Sequence, residues 1–333
     1  MSIAVIGAGA IGGHIAARLA AAGESVKVVA RGAHLEAIRE RGLILKEGGE
    51  EITARVEATD RIAEAGGADL VVLAVKAHQL TPIAADVASI VRPATTVMTT
   101  QNGLPWWYFL KHGGEYEGVR LESVDPGGVI ADHLPIDAIV AAISYQAAQI
   151  ESPGVIRHIE GHRLPLAEID GRRTERITAL SELFTRAGFK SPALQDVRTE
   201  IWTKLWGNLT FNPVSALSHA TLEDICRFAP TRALAAAMMR EAQTVGEAFG
   251  VRFRLSIEKR IAGAESIGAH KTSMLQDIEH GRAIEIEALL GSVIELARLT
   301  SVETPHLDAI YAVTKLLSET VARSGGGLSL APG

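Results

Sequence analysis

The stretch 2-SIAVIGAGAIGGHIAARLAAAG-23 decides how the rest of the chain is read. It opens with an apolar, β-rich run, passes through closely spaced glycines, and continues as an alanine-rich run of helical character. Gly7, Gly9 and Gly12 stand at G-x-G-x-x-G spacing, with Ala8, Ala10 and Ile11 between them. In such a motif the first glycine permits a tight turn, the second lets backbone approach a pyrophosphate, and the third lets the helix pack on the sheet. The start of that helix offers free N–H groups and the positive end of its dipole to phosphate oxygens. The same glycines also suit a bare strand-to-helix turn. A strand before them, a helix after them and a second strand at SVKVVAR (25–31) favour a bound dinucleotide.

The end of that second strand separates the two nicotinamide dinucleotides. An acidic residue there binds the ribose hydroxyls of NAD. Here the strand ends in Arg31 with no acid beside it, and a guanidinium suits a 2′-phosphate. NADPH is therefore the expected cofactor, the alternative being a solvated surface arginine. Two later apolar runs, ADLVVLAVK (68–76) and TTVMTTQNG (95–103), bring Lys76 and Asn102 to the carboxyl edge, where open sheets bind ligands. Lys76 reads equally as a strand-end surface lysine, and Asn102-Gly103 as a simple turn.

Strands alternating with helices predict an α/β, Rossmann-type, doubly wound sheet. GAHLEAIRERG (32–42) reads as a helix, and LILKEG (43–48) with EEITARVEAT (50–59) as a hairpin. After Gly103 comes a long excursion rich in Gly, Pro and aromatics, whose Trp106 and Trp107 either cap the nicotinamide pocket or pack beneath the loop. Next follow a strand AIVAAISYQAAQI (138–150), a turn ESPG (151–154), and an antiparallel pair of VIRHIEG (155–161) with HRLPLAEID (162–170). RTERITALSELFTRAG (173–188) is a helix, and from about residue 197 the pattern is helical throughout. The expected division is a Rossmann-type NADP-binding domain over 1–195, an all-α substrate and catalytic domain over 196–323, and a disordered glycine-rich tail over 324–333.

Composition narrows the function classes. A net charge of -6 gives no broad basic field for nucleic acid. No apolar run approaches a membrane span, and His14 and Arg18 interrupt the opening one, so neither a membrane partner nor a signal peptide is expected. The lone Cys226 excludes a disulfide framework and suits a reducing compartment, which makes the cytoplasm the expected location. The nearest approach to metal-ligand spacing is HIEGH, His158 to His162, read as solvated on the hairpin; no metal is expected.

One helix carries an anomaly. In TEIWTKLWGNLTFNPVSAL (199–217), Lys204, Asn208 and Asn212 recur every four residues and form one slightly drifting stripe with Ile201. Leu205 and Phe211 flank it, so a lysine and two amides stand where a core is expected. Burying an amide without a partner costs roughly 1–3 kcal/mol, and a bare ammonium more. Glu285, on the apolar side of its own helix with Ile278, Leu289, Val293 and Leu296, is an equal anomaly. A buried ion pair between the two leaves both amides unexplained. A polar substrate beside the dinucleotide accounts for all four. SMLQ (273–276) fits a capping box on Ser273, and a capping serine can also meet a carboxylate.

GAGAIGG, Arg31, VKAHQ, QNG, KLWGNLTFNPVSAL and SMLQDIEHGRAIEIEALLG, in order over most of the chain, resemble the ketopantoate reductase (2-dehydropantoate 2-reductase) family. The resemblance implies NADPH and a 2-keto acid in a cleft between a Rossmann and a helical domain, and a step in pantothenate biosynthesis. It implies Lys204 as general acid, with Glu285 binding substrate and ordering the lysine. It assigns Asn102, Asn208, Asn212 and Ser273 to the substrate, and residues 7–12, Arg31, Lys76 and Asn102 to the cofactor. A homodimer is the one macromolecular partner left open. The long excursion and Ile284, where the family commonly has threonine, are departures near the substrate. The competing readings are a related NADP-dependent dehydrogenase of another 2-keto or 3-hydroxy acid, and a non-catalytic NADPH sensor.

Overall fold

The computed structural model describes residues 1–330, which form two compact units. The first comprises residues 1–101, 106–120 and 125–197; the second comprises 102–105, 121–124 and the chain from 198 onward. The division falls between Val197 and Arg198, two residues beyond the expected boundary, and gives two short pieces of the excursion to the second unit.

Unit 1 runs β1 (Ser2–Ile6), α1 (Ala10–Ala21), β2 (Ser25–Val29), α2 (Gly32–Arg41), β3 (Leu43–Glu47), β4 (Glu50–Ala54), β5 (Glu57–Thr59), β6 (Leu70–Leu73), α3 (Ala84–Ile90) and β7 (Thr96–Thr99). It continues through α4 (Val129–His133), β8 (Ile139–Ala142), β9 (Ala147–Ser152), β10 (Val155–Glu160), β11 (Leu166–Glu168), α5 (Glu175–Arg186) and β12 (Ala193–Leu194). Eight strands form one sheet in the order β12-β11-β8-β7-β6-β1-β2-β5. All neighbours are parallel except β8 and β11. The central strands β1, β6, β7 and β8 are buried at nearly every position, as a sheet covered on both faces requires. Since β1 pairs with β2 on one side and β6 on the other, the chain order reverses there, and the switch point lies at their carboxyl ends.

A second sheet, β4-β3-β10-β9, corrects two sequence expectations. The single strand expected over 138–150 is two. Its apolar half, β8, is buried in the large sheet, whereas its polar half, β9, is largely exposed in the small one. The expected antiparallel partners 155–161 and 162–170 do not pair. β10 pairs antiparallel with β9 and parallel with β3, while the fully buried β11 joins the large sheet. The excursion's Trp106 and Trp107 are both buried, and the Trp107 indole N–H donates to Thr99 Oγ1 at 3.1 Å.

Unit 2 is helical: α6 (Val197–Ser218), α7 (Leu222–Arg227), α8 (Ala229–Ala248), α9 (Ile257–Glu265), α10 (Ser273–Glu279), α11 (Ser292–Leu299) and α12 (Pro305–Ser324). α6 is buried around most of its circumference, with Trp202, Trp206 and Leu209 at 0–2% exposure, so apolar periodicity alone cannot orient it. The tail expected to be disordered begins as the last residue of α12, and the Leu328 N–H donates to the Ile278 carbonyl at 3.0 Å. Residues 331–333 lie outside the described residues. Among the described residues no helix is long and apolar enough to cross a membrane.

Candidate active site

The glycine turn sits at the carboxyl end of β1. Gly7 has φ +97°, and a Cβ there would meet Val75 Cγ1 at 2.8 Å, so the connections after β1 and β6 close on each other. The Gly7 and Ala8 N–H groups both donate to the Val29 carbonyl at 3.1 Å. At Gly12 a Cβ would stand 2.0 Å from the Gly7 carbonyl oxygen, which is why the helix can pack directly on the turn. Gly9, which caps α1, has nothing within 4 Å of its Cβ position, so that side of the turn is open. The N–H groups of Ala10, Ile11 and Gly12 precede the first intrahelical bond, Gly13 to Gly9 at 2.7 Å. Arg31 is exposed just beyond β2, and Lys76 is half-buried beyond β6.

One residue at this turn carried no sequence signal. His34 Nε2–H donates to the Ala8 carbonyl at 2.8 Å, and its Nδ1 accepts the Gly154 N–H at 3.0 Å. Burial lowers its pKa, which favours the neutral ring that can make both bonds at once. His34 thus ties α2 to the glycine turn.

In unit 2 the stripe on α6 is half-buried at Lys204 and Asn208 and buried at Asn212. Lys204 Nζ donates to Asn102 Oδ1 at 2.6 Å, and Asn102 Nδ2 donates to Glu285 Oε2 at 3.3 Å. Two turns further on, Asn212 Nδ2 reaches Ser273 Oγ at 3.5 Å. The structure therefore brings Lys204, Asn102 and Glu285 into one hydrogen-bonded row, and Asn212 to Ser273. Burial pulls the Lys204 ammonium down to about 8, with the Glu285 charge opposing that fall.

Asn102 is positioned by its neighbour. Gly103 has φ +85°, and a Cβ on it would lie 2.1 Å from the Ala288 carbonyl oxygen. Leu104 N–H donates to that same oxygen at 2.9 Å. Ala288 belongs to a π-helical turn, Glu287–Gly291, that leads into α11. Such turns break the regular α-helical ladder and concentrate at functional sites.

Two expectations need correction. Glu285 does not share a helix with Ile278: α10 ends at Glu279, Gly281 turns the chain with φ +64°, and Glu285 stands immediately before the next helix. Ser273 is not the cap of α10. Thr272 takes that position and accepts the Leu275 N–H, leaving Ser273 exposed in the first turn. Arg282 pairs with Asp277 at 3.0 Å.

Gly103→Ala is expected to lower stability by about 1–3 kcal/mol, since both its φ and the Ala288 contact oppose a side chain. An unchanged urea midpoint would show that Asn102 is not held this way. Lys204→Met is expected to act in the opposite direction. Folding lowers the amine's pKa, so the unfolded chain binds its proton more tightly, and the fold carries a penalty below about pH 8 that fades towards 10.5. Removing the amine should raise stability at pH 7 by about 1–3 kcal/mol, with the gain shrinking in alkali. A fall in the pH 7 midpoint would contradict this.

Residues 3–171 match the family described as ketopantoate reductase PanE/ApbA, and residues 196–318 match its C-terminal part. A 2-dehydropantoate 2-reductase of Mesorhizobium japonicum is 50% identical over 96% of this chain and 98% of its own. A candidate ketopantoate reductase from Ralstonia solanacearum MolK2 has a crystal structure that superposes with a TM-score of 0.91, at 40% identity over 96% of this chain and 98% of that one. The 2-dehydropantoate 2-reductase of Methylococcus capsulatus superposes at 0.81, with 28% identity over 97% and 98%. With both parts of the family pattern present in order, the chain belongs to the ketopantoate reductase PanE/ApbA family.

Proposed function

We propose that this protein reduces ketopantoate (2-dehydropantoate) to pantoate with NADPH, a step of pantothenate biosynthesis, in the cytoplasm and as a homodimer. The observation that carries the chemistry is the row Lys204–Asn102–Glu285, a partly desolvated ammonium held by a fixed amide. The residues of unit 1 suit the cofactor. The open side of Gly9 and the N–H groups of residues 10–12 suit its pyrophosphate, and the exposed Arg31 guanidinium suits a 2′-phosphate. Lys76 and Asn102 are its remaining assigned contacts. NADPH, when bound, supplies the hydride.

As the ketone carbon is reduced, negative charge grows on its oxygen. Lys204 stabilises that charge and donates its proton as general acid. Asn102 fixes the direction of the ammonium, and Glu285 keeps it charged while accepting a substrate hydroxyl. Asn208, Asn212 and Ser273 hold the keto acid by its carboxylate and polar substituents.

Lys204→Ala is expected to lower kcat for ketopantoate reduction by roughly 10²–10⁴-fold. In the wild type, kcat/KM for reduction should fall as pH rises through about 8, where the ammonium is lost, and for pantoate oxidation it should rise over the same interval. An unaltered kcat in the variant would remove Lys204 from the mechanism. Arg31→Asp should cut the preference for NADPH over NADH by roughly 10–100-fold, the worth of a charge-assisted contact. Steady-state kinetics with both cofactors decides it: unchanged selectivity would return Arg31 to the solvated surface.

A further inference from the structure

Unit 1 contains a polar cluster that this reaction does not use. His14 on α1, Glu47 at the end of β3 and His158 on β10 meet in the interior, with side chains 0%, 9% and 5% exposed. One ligand atom from each lies within 4.8 Å of the others. His14 Nε2 stands 3.1 Å and His158 Nδ1 3.2 Å from Glu47 Oε1. His162, 38% exposed, brings its Nε2 to 3.1 Å from the same oxygen. The solvated HIEGH hairpin expected from the sequence is thus replaced by a buried His158 facing two residues from distant parts of the chain.

Hydrogen bonds alone account poorly for this arrangement. His158 Nε2 lies 2.7 Å from the Gly161 carbonyl, which fixes a proton on that nitrogen. His14 Nδ1 lies 2.7 Å from Gln146 Oε1. His14 then faces two oxygens with one proton to share as a neutral ring, and His158, its proton held on Nε2, turns the lone pair of Nδ1 towards Glu47 Oε1. Turning the Gln146 amide over, so that its otherwise unpartnered Nε2 meets His14 Nδ1, satisfies His14 but leaves His158 and Glu47 facing each other lone pair to lone pair, with the two rings' centroids 4.6 Å apart. Glu47 Oε1, moreover, has two lone pairs for three approaching nitrogens.

A cation between the inward nitrogens and the carboxylate removes these conflicts. Both rings stay neutral, turning an N–H outward to a carbonyl and a lone pair inward, which is how outer partners orient ligating histidines. Bonds of about 2.0–2.1 Å around a tetrahedral zinc separate its ligands by about 3.3 Å, close to the spacings seen here. Arg18 Nη2, 2.5 Å from Glu47 Oε2, holds the other carboxylate oxygen.

We propose that His14, Glu47 and His158 bind one divalent ion of the zinc class, with His162 on the open side of the site. The ion would fasten α1, the helix that follows the glycine turn, to β3 and β10 of the small sheet. Its role is structural, and the reductase chemistry does not pass through it.

The test uses the full chain, stripped with a chelator and titrated with Co(II) alone. One equivalent should produce the visible absorption bands of a four- or five-coordinate site, and Zn(II) should abolish them by displacement. Zn(II) at a hundredfold excess over its Kd should raise Tm by about 5–10 °C. Glu47→Gln and His158→Gln should each weaken Co(II) binding at least tenfold. Wild-type protein with neither cobalt bands nor a zinc-dependent rise in Tm would overturn the proposal, leaving an imidazole–carboxylate network. Full-strength cobalt bands in both variants would overturn it as well, since the ion would then sit elsewhere. If the variants do not fold, the wild-type titration decides.

Discussion

An ammonium taken partly out of water is the constraint around which unit 2 is arranged. Lys204 cannot stand on the largely buried α6 without an acceptor, and Asn102 provides one at 2.6 Å. Asn102 in turn requires Gly103, the only residue type that accepts both its backbone angle and the nearby Ala288 carbonyl. That carbonyl is presented by a π-helical turn rather than a regular helix. A charge, an amide, a glycine and a helical irregularity thus form one dependency, and loosening any of them reaches the amine. The depressed pKa is the energetic trace of the arrangement: the fold tolerates a penalty at neutral pH to keep an amine of pKa about 8 partly out of water.

Unit 1 faces a different demand, the approach of an anionic ligand to bare backbone. Gly7 and Gly12 bring strand, turn and helix closer than side chains permit, while Gly9 leaves its outer face clear. His34 adds a requirement of another kind. It fixes the Ala8 carbonyl from a second helix and does so only as a neutral ring with both nitrogens engaged. The turn is therefore set by contacts from α2 as well as by its own glycines.

What the sequence disclosed follows from the range of the interactions involved. The glycine turn, the alternation of β1, β2, β6 and β7 with helical segments, and the four-residue recurrence of Lys204, Asn208 and Asn212 are local patterns. Each strand, turn or stripe among them is written within a short run of consecutive residues. The split of 138–150 into β8 and β9 was not visible, because an apolar run followed by an alternating one does not announce a change of sheet. The cap of α10 is hidden for a related reason: two adjacent hydroxyl residues, Thr272 and Ser273, both suit a cap, and only the backbone chooses between them. Glu285 lies outside the helix that periodicity suggests, since Gly281 ends α10 in a stretch that periodicity alone carries through. The members of the Lys204–Asn102–Glu285 row are legible one by one, and the order of hydrogen bonds within it is not.

The histidine cluster shows why spacing rules find some polar sites and miss others. A stripe on one helix has a period, and so it can be seen. His14, Glu47 and His158 lie 33 and 111 positions apart on a helix and two strands, and only the pairing of β3 with β10 beneath α1 brings them together. The physics at the two places is nonetheless the same: polar groups withdrawn from water must find their complement. On α6 the complement is an amide already in the chain, so the charge can stay on the lysine. Between α1 and the small sheet, two rings and a carboxylate offer more lone pairs than the available protons can join. The cation proposed there would satisfy that excess directly, between three side chains that already converge on one carboxylate oxygen.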